Sequence, residues 1–81
     1  MTRVEIEFCV PCGLLEPAVK TERALLEAFG QDIEAVTLRP GHGGIFEIRI
    51  EDDVMWDKGT HGGALDLNLI KDAVWQRELA A

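Results

Sequence analysis

Cys9 and Cys12 sit where one hydrophobic periodicity stops and another begins, and that junction constrains the fold more than any other feature of the chain. Upstream, Val4, Ile6 and Phe8 alternate with Arg3, Glu5 and Glu7, the period-2 pattern of a half-buried strand. Downstream, the pattern from Leu14 to Phe29 is helical. Leu15, Val19, Leu26 and Phe29 fall on one stripe, with Leu14, Ala18, Leu25 and Ala28 beside it, giving a broad apolar face. Pro17 fits only in a first helical turn, where backbone N–H groups have no helical partner, so the helix is predicted to begin at Gly13 or Leu14, close behind Cys12. Gly30 is the expected stop.

The rest of the chain reads as a second strand, Ile33 to Leu38, then a breaker, Arg39-Pro40-Gly41-His42-Gly43-Gly44, in which Pro40 is expected in a plain turn. Ile45 to Ile50 alternates again, and Glu51-Asp52-Asp53 is a polar turn into a return strand, Val54-Met55-Trp56. Lys58 to Ala64 is predicted to be a Gly-rich loop, and Asp66 to cap a last helix with Leu67, Ile70, Ala73 and Val74 inward. The order is β-α-β-β-β-α. A right-handed crossover makes the first two strands parallel, and the hairpin adds an antiparallel pair. The expected fold class is α/β: a minimal thioredoxin-like fold, a four-stranded mixed sheet with two helices, filling residues 1–81 as one domain.

Charge narrows the partners. The chain carries 15 acidic and 8 basic residues, a net −7, which argues against nucleic acid and against anionic membrane surfaces. Lysine is scarce (Lys20, Lys58 and Lys71), a composition that suits a high-salt interior and equally an ordinary acidic protein. Met1 leads into a charged alternating strand instead of an apolar leader, and no apolar run approaches the ~18 residues that span a bilayer, so a cytoplasmic location is expected. Thiols are kept reduced there by default, so a close cysteine pair points to redox catalysis or metal binding more than to a structural bridge.

Cysteines at this spacing, at a strand end opening a helix, can close a small disulfide ring with little backbone movement, and a helix N-terminus favours thiolate. Thiolate attacks disulfides and peroxides. Pro11 restricts the loop and removes one donor. The expected function is therefore thiol–disulfide redox chemistry by Cys9 and Cys12, with no cofactor. A metal-binding protein using the same two thiolates and a redox-modulated interaction module are the alternatives. His42 and His61 complete a formal two-Cys, two-His set, but their spacing is unlike a structural zinc site, and both stand among glycines as expected loop residues. In a thioredoxin-like layout the loop before the third strand lies beside the dithiol, which makes His42 a candidate supporting residue. Neither Gly-rich stretch has a phosphate-loop pattern.

These residues also resemble a known family. Phe8-Cys9-Val10-Pro11-Cys12-Gly13 after the opening strand, Gly43-Gly44-Ile45-Phe46-Glu47-Ile48 in the third, and a hairpin return ending near Lys58 are similar to the selenoprotein W-like (SelT/SelW/SelH, or Rdx) family, in a form with cysteine for selenocysteine. The resemblance covers nearly the whole chain. It implies a thioredoxin-like fold and redox activity on protein or small-molecule thiols and disulfides, with glutathione or a thioredoxin-like reductant as partner. It places the reactive role on Cys12 and the resolving role on Cys9; Pro11 and Gly13, within and beside the motif, are candidate supporting residues with His42. Position relative to the helix points the other way, to Cys9 as the more exposed, attacking sulfur. Helix-end stabilisation of an exposed charge is only ~0.3–1 kcal/mol, too little to decide alone, so on the resemblance Cys12 is expected to have the lower pKa and to react first. Where the family often has Phe-Pro before the last helix, this chain has Gly62-Gly63-Ala64-Leu65-Asp66.

Overall fold

The computed structural model describes residues 2–62 and 65–80. Strand β1 (Thr2–Cys9) is followed by helix α1 (Leu15–Phe29), a short 3-10 turn, strands β2 (Ile33–Gly41), β3 (Phe46–Ile50) and β4 (Asp53–Asp57), a single-turn helix α2 (Lys58–His61) and helix α3 (Leu67–Ala80). The sheet order is β2-β1-β3-β4, with β1 parallel to β2 and the other pairs antiparallel. This is the expected thioredoxin-like α/β layout, with the dithiol strand β1 at the centre.

The period-2 pattern of β1 divides the sheet into two unlike faces. Val4, Ile6 and Phe8 meet Phe46, Ile48 and Ile50 of β3, and the helices cover them with Ala18, Leu25, Ile70 and Val74 to form the core. The other face carries the intervening residues: Arg49 of β3 hydrogen-bonds Glu5, Glu7 and Glu47. Burial opposes the charge on Arg49, but the three carboxylates outweigh it and hold the guanidinium firmly protonated.

Four local expectations are corrected. The buried stripe of α1 is Ala18, Thr21 and Leu25, with Leu14 and Phe29 half-buried at its ends, while Leu15, Val19, Leu26 and Ala28 are exposed. Thr21 is tolerated inside because its hydroxyl donates to the Pro17 carbonyl, 2.8 Å away. Strand β2 runs on through Pro40 to Gly41; it is an edge strand, where a missing N–H leaves no sheet partner unsatisfied, so Pro40 pairs with Phe8 and is not in a turn. Lys58 begins a helical turn instead of a loop, because the Asp57 carboxylate accepts from the Gly59 amide and caps it; Gly63 and Ala64 lie outside the described residues. The third strand begins at Phe46, leaving Ile45 in the loop before it. Asp66 caps α3 as expected, accepting from the Asn68 amide.

At the β3–β4 turn, Glu51 and Asp52 both have positive φ, 51° and 73°, the pattern of a type I′ hairpin turn. Glu51 is held there from three sides: its amide donates to the Arg3 carbonyl, and its carboxylate accepts from the Arg3 amide and guanidinium. The Arg3 amide first, and then the guanidinium, hold this carboxyl below the usual carboxylate range. A carboxylate depressed in the folded state stabilises the fold above its unfolded pKa, and the gain is lost as pH falls through the folded value. Glu51→Gln is therefore expected to lose less thermal stability than the wild type between about pH 5 and about pH 3, in melts followed by circular dichroism. Identical acid slopes would contradict this.

Candidate functional site

Cys9 ends the central strand, and the chain turns at once. The Gly13 amide donates to the Val10 carbonyl at 3.1 Å, and the Leu14 amide donates to the Cys9 carbonyl at 3.2 Å, so Val10 to Gly13 forms a closed loop on the strand end. Gly13 has a φ of +75°, where any residue with a Cβ is strained, which gives its presence before the helix a physical reason. Helix α1 starts at Leu15, just after the Gly13 or Leu14 expected, with Leu14 as its N-cap and no side chain capping it, and Pro17 brings no N–H to its first turn. The positive end of the helix therefore opens toward the loop that carries Cys12.

The loop between β2 and β3 clamps the other side. The Cys9 amide donates to the Ile45 carbonyl at 2.7 Å, and the Val10 amide to the Gly41 carbonyl at 3.1 Å. A Cβ at Gly41 would lie 2.9 Å from the Ile45 side chain and 3.0 Å from the Glu7 carboxylate, so a side chain there would have to displace Ile45. His42 thus stands in the loop that lies against the dithiol, as the layout implied; its side chain faces solvent and, among the described residues, makes no hydrogen bond or ion pair. The side chain of His61 lies outside the described residues.

Cys9 and Cys12 are joined by a disulfide, with Cα atoms 5.3 Å apart. Their environments differ sharply. Cys9 is 1% exposed, beneath the β2–β3 loop, whereas Cys12 is exposed, as are Val10, Pro11 and Gly13. The expectation that Cys9 is the more accessible sulfur is therefore corrected: Cys9 belongs to the buried end of the strand and Cys12 to the exposed loop. Sequence patterning does not show this, because it depends on a loop distant in the chain. Among the described residues no group of three or more His, Cys, Asp or Glu stands together as a metal ligand set, and no helix is long and apolar enough to cross a membrane.

Comparison with known proteins agrees with this geometry. The chain matches the Rdx family over residues 3–76. It is similar to the crystal structure of a Bordetella parapertussis protein, with 33% identity over 94% of this chain and 96% of that one and a TM-score of 0.88. It is likewise similar to a selenoprotein W-related protein from Vibrio cholerae, with 28% identity over 95% and 96% of the two chains and a TM-score of 0.90. No curated protein matches. With its dithiol on the central strand of a four-stranded thioredoxin-like sheet, the chain belongs to the Rdx family, the selenoprotein W-like group of redox-related proteins.

Proposed function

We propose that this protein is a thiol–disulfide redox protein in which Cys12 attacks and Cys9 resolves. The observation that carries the reading is the asymmetry of the pair: one sulfur exposed beside an uncapped helix end, the other buried one bond away from it. In the reduced protein the Cys12 thiolate attacks one sulfur of a substrate disulfide. An S–S bond forms between them, and the other substrate sulfur leaves as thiolate and takes a proton. The Cys9 thiol loses its proton and attacks the Cys12 sulfur, closing the intramolecular disulfide and expelling the second substrate thiolate. Two electrons have then passed from the dithiol to the substrate, and two substrate thiols are released. Glutathione or a thioredoxin-like reductant returns the pair to the dithiol. The helix end favours the charged form of Cys12, while burial disfavours a standing charge on Cys9. Cys9 is thus kept as a thiol until the mixed disulfide brings an electrophilic sulfur within reach.

The direct test is titration of the dithiol against glutathione redox buffers, read by alkylation and intact mass. A loss of two thiols within the monomer is expected, with a midpoint in the range of catalytic dithiols, roughly −120 to −270 mV. Oxidation that yields only intermolecular dimers, or no loss of thiol, would overturn the reading.

A further inference from the structure

We propose that the substrates of this dithiol are protein segments that carry apolar and acidic side chains next to the oxidised cysteine, docked in a groove along α1; this inference rests on the redox reading above. Two adjoining hollows form the groove, of about 150 and about 760 Å³, and share Pro17 and Leu65 as walls. The smaller is lined by Leu14, Phe46 and Trp56, together with Lys58. Leu14 is the residue whose amide bonds the Cys9 carbonyl, and Phe46 follows Ile45, whose carbonyl holds the Cys9 amide. This end of the groove therefore begins at the backbone that carries the dithiol. The larger hollow continues past Val19 and Leu67 to Lys20 and Arg23.

Charge selects the occupant. Glu16 is the acidic residue on the walls, against Lys20, Arg23 and Lys58, so the groove is locally cationic on a chain of net charge −7. Elsewhere Arg3, Arg49 and Arg77 are tied closely to carboxylates and Arg39 loosely to Glu5, while Lys71 on α3 stands away from the groove. Among the described residues Lys20 and Lys58 have no such pair, and Arg23 has only a loose exposed one, 3.7 Å from Glu27. On a chain of net negative charge, this local excess of basic groups favours an acidic partner here. The apolar walls ask for side chains that glutathione lacks. From Leu14 to Arg23 the helix advances about 13 Å at 1.5 Å per residue, the span of roughly four residues of extended chain.

The test uses the full-length reduced protein and short peptides in which a cysteine, oxidised as a mixed disulfide with mercaptoethanol, is followed by two leucines alternating with two further residues. With glutamates at those two positions, the rate of dithiol oxidation at low salt is expected to exceed that with glutamines by about 10-fold, and to fall toward it in molar salt. Lys20→Glu combined with Lys58→Glu, both exposed positions, is expected to erase this preference while leaving the rate with hydroxyethyl disulfide unchanged. Equal rates for the two peptides, or a preference that survives the double substitution, would overturn the proposal. So would glutathione disulfide matching the acidic peptide in rate and in sensitivity to the double variant, since a small anion would then be the occupant. Failure of the wild-type dithiol to reduce even hydroxyethyl disulfide would overturn the redox reading itself, and the docking proposal with it.

Discussion

Cys9→Ser is expected to accumulate a stable mixed disulfide with a small disulfide reagent, while Cys12→Ser reacts at least about 100-fold more slowly. Attack requires a thiolate that the reagent can reach along the S–S axis. In the Cys9→Ser variant, Cys12 keeps its solvent-exposed position beside the α1 N-terminus, and the sulfur that would release the adduct is gone. In Cys12→Ser the remaining sulfur belongs to Cys9, the residue that is 1% exposed in the disulfide form, with its amide bonded to Ile45 and the next amide to Gly41. Reaction there needs a local opening that exposes the sulfur, so the rate is scaled down by the fraction of molecules that are open. A local opening of about 3 kcal/mol gives a factor of roughly 100. Intact mass spectrometry over time measures both variants. A Cys12→Ser variant that reacts as fast as Cys9→Ser would reverse the assignment of attacking and resolving sulfurs.

The features legible in the sequence were those set by neighbours along the chain. The switch of period across Cys9 to Leu15, the alternation of Phe46, Ile48 and Ile50, and the Asp66 cap are local signals, and each element appears where its signal stands. The rotation of α1 was not legible, because apolar residues occupy more than half its circumference. Leu15, Val19 and Leu26 compete with Ala18 and Leu25 for the core, and a polar residue, Thr21, belongs to the winning stripe. Only packing against β1, β2 and α3 decides between them. The extension of β2 through Pro40 depends on that strand being at an edge, which is a property of the sheet. The α2 turn was readable in principle, since Asp57 is a good N-cap residue, but the glycines after it point equally to a loop. At the site, the pair itself was evident and its asymmetry was not: the burial of Cys9 and the exposure of Cys12 are set by the assembled fold and leave no local signal.

Loss of Arg49 is expected to be among the most damaging single changes outside the core, although no apolar contact is at stake. The residue stands on the sheet face opposite the helices and is 17% exposed, with Glu5 directly across from it on β1. On the same face Glu7 lies directly opposite Glu47, a like-charge cross-strand pair that opposes β1–β3 pairing. Arg49 spans all three, with its Nη1 on Glu47 at 2.6 Å and its Nη2 on Glu5 and on Glu7, the latter at 3.1 Å. Arg49→Met keeps most of the aliphatic stem but leaves three half-buried carboxylates facing one another. An exposed ion pair is worth about 0–1 kcal/mol, and breaking a fully buried one costs about 3–5. This cluster lies between those limits, so a loss of about 2–3 kcal/mol is expected, against a total of about 4–12 for a domain of this length. Urea unfolding at neutral pH measures it. If repulsion among the carboxylates is the cause, adding Glu5→Gln, Glu7→Gln and Glu47→Gln to Arg49→Met recovers most of the loss. Molar salt also recovers part of it, because screening then acts within about 3 Å. A variant within about 0.5 kcal/mol of the wild type would show that solvent already screens the cluster. A loss that neither salt nor the glutamine substitutions relieve would place the effect of Arg49 in its stem packing across β1 and β3.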